Sequence, residues 1–201
     1  MTNSPYDPFH VVGSERRLSL VHGLAMAACF VLYFILRLPW ADHLLAVDEA
    51  NTLLSIRAFA SGGSDFYSNW FWRRPPLLSS ILLLARPLQE GYIGRTEVLI
   101  VSVSSLNLLA LFILSRRALG LAAALWSVFF LVAMPGANFF DVWVKQDGPC
   151  VFFGLLAIYF FLDRRRYLSG AALGLAFLAK EMALFYAAAI FLLWLFEGKS
   201  R

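Results

Sequence analysis

The stretch VLIVSVSSLNLLALFILSRRALGLAAALWSVFFLVAM, residues 98–134, decides the fold class. It holds two apolar runs, Val98 to Leu114 and Leu119 to Met134, with Ser115-Arg116-Arg117 between them and Pro135 closing the second. Each run approaches the roughly 20 helical residues that cross a hydrocarbon core. Proline ends a helix and paired arginines stay in water, so the stretch reads as a helical hairpin in a membrane.

Further apolar runs flank the hairpin. Leu18 to Leu38 is the first span, and Pro149 to Leu162 is a fourth, ending at Asp163-Arg164-Arg165-Arg166. Ser169 to Phe196 contains two shorter pieces divided by Lys180-Glu181. These are either two spans, giving six in all, or one broken helix that would leave the C-terminus outside. The expected fold is all-α and multi-pass.

Composition excludes the soluble class. The chain is 60% hydrophobic and only 15% charged, against roughly half and a quarter in soluble domains. The net charge of +4 comes from basic clusters between apolar runs, and with no nucleic-acid module present it reflects topology rather than a nucleic-acid partner. Cys29 and Cys150 sit within apolar runs, expected as buried thiols, and form neither a disulfide framework nor a metal pair. His10, His22 and His43 have no ligand spacing, so no metal site is expected. The first run follows a polar stretch without an obvious cleavage site, and is expected to remain as an anchor.

With the N-terminus cytoplasmic, Arg16-Arg17, Arg116-Arg117, Arg164 to Arg166 and Lys199/Arg201 all fall on the cytoplasmic side, as the positive-inside rule requires. Residues 39–95 then form an extracytoplasmic loop that carries Arg57, Arg73, Arg74, Arg86 and Arg95 against that rule. A bound anion accounts for them. The fourth run is short, about 21 Å as a helix against a core of roughly 30 Å. Asp147 at its outer end and Lys180-Glu181 beyond the next run are thereby drawn below the surface, towards a water-filled cavity open to the outside.

Within the loop, Asp48 to Phe59 has apolar residues on one helical face and meets Gly62-Gly63, which predicts an interfacial helix with a glycine stop. Pro75-Pro76 open a second helix through Leu77 to Leu88, near the membrane surface. Several of these residues have ordinary structural readings. Asp48 either caps the interfacial helix, with Glu49 complementing its dipole, or serves chemistry. Asp147, before Gly148-Pro149, is open to the same two readings. Arg73-Arg74 either meet lipid head groups or bind a dedicated phosphate, and Trp70 to Trp72 suit an interfacial belt.

Taken in order, the acidic pair after the first span, "ANTLLSIRAFASGG", the basic pair before "PPLL", "DGP" entering the fourth span and "GAALGLAFLAKE" resemble the N-terminal half of GT-C membrane glycosyltransferases. More narrowly, the chain is similar to the protein O-mannosyltransferase and aminoarabinose transferase group, with its bacterial RgtA/B/C/D-like members. The resemblance covers nearly the whole chain, read as a single membrane domain over residues 1–201. It implies transfer of a sugar from a polyprenyl-phosphate carrier to a lipid, glycan or protein acceptor, at the extracytoplasmic face of a cell membrane such as the bacterial inner membrane. It implies no cofactor beyond that donor and leaves a divalent ion open. By resemblance Asp48 is the catalytic acidic residue of the first loop, Glu49 its neighbour, Asp147 the second acidic site residue and Arg74 the phosphate-binding cation; Arg57, Arg73 and Lys180 join the substrate-binding set.

These residue types suit that chemistry. Arginine's fixed charge and forked donors stabilise a departing phosphate, which fits Arg73 and Arg74. A positioned carboxylate such as Asp48 can take the acceptor's proton, worth about 10² to 10⁴ in rate, while Asp147 orients acceptor or sugar. A single displacement inverts the anomeric centre. Family members usually continue through further spans, so a C-terminal half or partner is expected to complete the enzyme. The alternative is a non-enzymatic carrier-lipid binder or small transporter, in which the arginines hold an anion and the acids only cap helices.

Overall fold

The computed structural model describes residues 20–40, 77–84, 93–136 and 146–199, and the regular secondary structure among them is entirely helical. Helix α1 spans Leu20–Arg37 and runs into a short 3-10 turn, Leu38–Trp40, where Pro39 cannot continue the α pattern. Helix α2 spans Leu77–Leu84, α3 Ile93–Leu119, α4 Leu121–Ala133, α5 Asp147–Leu162, α6 Arg166–Ala179 and α7 Leu184–Lys199, the last preceded by a 3-10 turn at Glu181–Ala183. Among the described residues, two helical stretches are long and apolar enough to cross a membrane: Leu20–Arg37, with mean hydropathy 1.9, and Val98–Leu119, with 2.3.

The hairpin at residues 98–134 is present, but its turn lies further along than the charges suggest. Helix α3 continues through Ser115-Arg116-Arg117 and stops at Leu119; the chain reverses at Gly120, whose φ of 93° belongs to glycine alone among common residues. Arginines in a last helical turn complement the exposed carbonyls of that end. They therefore prolong α3 instead of breaking it.

Chain direction alternates through the bundle. Tyr33 of α1, Val101, Leu108 and Phe112 of α3, and Ala124, Val128 and Val132 of α4 form one core. Helix α5 packs between α3 and α6, and α7 lies against α5. The α5–α6 contact rests on small residues: Ser169, Ala172, Ala176 and Ala179 form a buried stripe on α6, and Gly154 and Ala157 are buried on α5. Small side chains let two backbones approach closely where no water drives association. Ser169 Oγ also donates to the Ala157 carbonyl at 2.8 Å, a bond across the seam.

Lys180 is extended, with φ −161° and ψ 144°, so α6 and α7 are separate helices. Arg164 and Arg166, at the start of α6, both pair with Glu197 near the end of α7. The end of α7 has therefore returned to the level at which α6 began, and the two pieces fold back on each other. A single broken helix would have carried Glu197 far from those arginines. Outward faces are apolar, with Leu24, Ile35, Phe130, Phe185, Phe191 and Phe196 all more than half exposed. Contiguous apolar surface of that kind belongs against lipid.

Candidate functional site

One end of the bundle brings an acid and a base together. Helix α5 begins at Asp147 and α6 ends beside Lys180, and because the two helices are antiparallel these residues meet. Lys180 Nζ donates to Asp147 Oδ1 at 2.6 Å, with the side chains 27% and 50% exposed, so the pair is reachable. Asp147 is not a helix cap. Gln146 occupies that position without a side-chain capping bond, and Asp147 stands in the first turn with its carboxylate turned to the lysine. A carboxylate there also gains from the helix dipole.

Lys180 is held by its backbone on both sides. Its N–H donates to the Ala176 carbonyl at 2.9 Å, and its own carbonyl accepts from the Ala183 N–H at 3.1 Å and from the Cys150 thiol at 3.9 Å. The ammonium has three donors and, among the described residues, gives one to Asp147. Beneath the pair lies an apolar plug of Cys150, Ala176, Ala179 and Ala183, with Leu77, Phe153 and Tyr186 packed against it. Two glycines on α5 set its neighbours' distances: a Cβ on Gly148 would meet Ser104 Oγ of α3 at 2.8 Å, and one on Gly154 would enter the Tyr186 ring.

Leu77 opens α2 and enters this plug, and Leu78 and Leu82 are fully buried. Helix α2 is therefore seated on the bundle by one apolar face. Of the expected site residues, Asp147 and Lys180 are brought together; Asp48, Glu49, Arg57, Arg73 and Arg74 lie outside the described residues. Cys150 is buried as expected, whereas Cys29 is only half-buried and lines a groove of about 460 Å³ between α1 and α4 with His22 and Trp126. Among the described residues no three His, Cys, Asp or Glu side chains gather as metal ligands.

Two charged residues escaped the reading of the sequence. Arg37 is fully buried at the end of α1, its guanidinium 3.6 Å from the Tyr33 ring centroid. A lone arginine closing an apolar run was the available signal, since charge at membrane depth is seldom idle. Glu197 is buried between Arg164 and Arg166, and nothing local to α7 announces that.

The geometry joins two segments that the resemblance singled out, "DGP" and "AKE", at one end of a helical bundle. The sequence profile of the dolichyl-phosphate-mannose-protein mannosyltransferase family matches residues 74–201. The chain belongs to this family. It is thereby a mannosyltransferase-like membrane glycosyltransferase of the GT-C type, and its apolar helices accord with a membrane setting. The matched region contains both Asp147 and Lys180 and begins at Arg74. No curated protein and no solved structure matches the chain.

Proposed function

We propose that this mannosyltransferase-family protein moves a sugar from a polyprenyl-phosphate carrier to a lipid, glycan or protein acceptor at the extracytoplasmic face of the cell membrane. The observation that carries the reading is the accessible Asp147–Lys180 pair at the bundle end opposite Arg117 and Arg164 to Arg166. Positive residues favour the cytoplasm, so the pair faces outward. Six alternating passes, α1 and α3 to α7, then make one membrane domain. Helix α5, 16 residues long, spans only about 24 Å, which supports a recessed site open to water.

In this reading Lys180 orients the Asp147 carboxylate and offers its remaining N–H groups to the donor, while Asp147 aligns a sugar or acceptor hydroxyl. Asp48 takes the acceptor's proton as the new glycosidic bond forms, with Glu49 beside it. Arg73 and Arg74, assisted by Arg57, stabilise the carrier phosphate as it leaves. Support for the nearness of Arg74 comes from Leu77 in the plug beneath the pair: Arg74 is three residues upstream, a reach of about 10 Å at most. The leaving group is part of the donor, so the transfer calls for no resident cofactor.

The test uses the full-length protein in membranes with a labelled polyprenyl-phosphate sugar. Asp147→Ala and Lys180→Ala should each lower kcat/KM for transfer by about tenfold or more, and the double variant should be little worse than the poorer single, because paired groups act as a unit. Transfer within twofold of the parent for both singles, with the proteins folded, would remove the pair from the site.

A further inference from the structure

The opposite end of the bundle carries a second charged cluster that the transfer reaction does not use. Four guanidiniums there share two carboxylates. Asp163, at the end of α5, lies 2.7 Å from Arg165 and 4.0 Å from Arg117 of α3, and Glu197 of α7 pairs with both Arg164 and Arg166. Each carboxylate neutralises one of its two arginines, so these six groups retain two positive charges.

The cluster is built, and its excess charge points outward. Arg164 stands at φ 62°, in the left-handed region that a glycine would occupy without strain. The turn keeps an arginine there nonetheless, and its side chain reaches Glu197. Arg166 is steadied over the Phe161 ring at 3.9 Å. The carboxylates are enclosed, with Glu197 10% and Asp163 25% exposed by side chain, whereas Arg165 and Arg164 are 62% and 52% exposed. Each arginine has five N–H donors in a fixed fork suited to phosphate, and the pairs described occupy only some of them.

The collar around the cluster indicates what those donors meet. Tyr167, next to Arg166, is 96% exposed, and Leu168, which follows it, and Phe196, which precedes Glu197, are 46% and 62% exposed. A tyrosine with a polar tip and apolar body belongs at the level of lipid head groups, with the apolar residues reaching the acyl chains below. A small soluble anion would find charge here but no use for that collar. We propose that this arginine rim binds the head group of an anionic phospholipid in the adjoining leaflet, with Glu197 fixing the forks of Arg164 and Arg166 and Asp163 limiting the net charge. The inference does not rest on the transfer chemistry, which lies at the other end of the bundle.

The sign of one substitution separates recognition from simple structural support. Binding of phosphatidylglycerol and phosphatidylcholine to the purified full-length protein in a neutral detergent would be followed by native mass spectrometry, with inorganic phosphate as competitor. Asp163→Asn releases a guanidinium and should tighten phosphatidylglycerol binding about fivefold, the effect of one basic residue at an anionic surface. Arg165→Gln should weaken it by a similar factor, and phosphatidylcholine should bind weakly to all three proteins. Equal binding of the two lipids, no tightening in a folded Asp163→Asn protein, or displacement of the lipid by inorganic phosphate at the same concentration would each overturn the proposal. If Asp163→Asn does not fold, an unchanged lipid affinity in Arg165→Gln overturns it alone.

Discussion

Gly154 is where α7 meets α5, and adding one methyl group there has a calculable consequence. An ideal Cβ would lie 2.4, 2.5 and 2.6 Å from three carbons of the Tyr186 ring, where non-bonded carbons sit at about 3.5–4.0 Å. The ring must retreat by about 1 Å, yet it is packed in the plug with Cys150 and Ala183. Overpacking of this kind costs about 1–3 kcal/mol, against the gain of about 1 kcal/mol that alanine has over glycine in a helix. Gly154→Ala should therefore destabilise the protein by up to about 2 kcal/mol. In a Tyr186→Ala background the obstacle is gone, and the same change should be neutral or stabilising by up to about 1 kcal/mol. The assay is reversible unfolding in mixed detergent micelles, followed by helicity. Equal effects of Gly154→Ala in both backgrounds would refute the packing argument.

Other expectations follow from the same geometry. Gly120→Ala forces a side chain onto φ 93° and should cost about 1–3 kcal/mol in the same unfolding assay, whereas Gly136→Ala, with nothing within 4 Å of the added carbon, should be close to neutral. Glu197→Gln weakens the link from α7 to Arg164 and Arg166; because the arginines are 52% and 40% exposed, the loss should be about 1 kcal/mol and should shrink in high salt. In a variant with Cys29 and Cys150 replaced, Gly136→Cys should react with an impermeant thiol reagent in intact cells and Tyr167→Cys only after permeabilisation; the reverse pattern would invert the topology. Arg74→Ala should weaken binding of the carrier phosphate by about 1.5–3 kcal/mol and Arg86→Ala much less, with equal small effects indicating diffuse surface charge.

The apolar runs were readable because a membrane imposes a length and a composition, and α1, α3, α4 and α5 lie where those runs stand. Turn positions were less readable. Counting charges as breaks put the first hairpin turn at Ser115 to Arg117, but helix ends welcome arginine and the backbone reverses at the glycine instead. Asp147 stays open between cap and chemistry on local sequence, because capping is a short-range pattern. Its partner is Lys180, 33 residues away, and only the antiparallel pairing of α5 and α6 joins them. Glu197 is hidden for the same reason, its partners Arg164 and Arg166 being 33 and 31 residues away, whereas Arg37 rests on a local contact with Tyr33 and was signalled by its place at the end of an apolar run. Of the small-residue stripe at Ser169, Ala172, Ala176 and Ala179, the three alanines lie within "GAALGLAFLAKE" and Ser169 just before it; the family pattern marks the segment, and the packing against α5 gives its small residues a reason.

The transfer itself gives the most direct test of the proposed function. Membranes containing the full-length protein would be supplied with labelled polyprenyl-phosphate hexoses and pentoses, or with the corresponding nucleotide sugars, and label reaching membrane acceptors would be counted for the parent and for Asp48→Asn. Asparagine caps a helix about as well as aspartate but cannot accept the acceptor's proton at neutral pH. The predicted result is transfer from a carrier-linked sugar alone, falling by at least about 10²-fold in Asp48→Asn while expression and carrier binding persist. Transfer from nucleotide sugars in place of the carrier-linked donors, or near-normal transfer by Asp48→Asn, would contradict it.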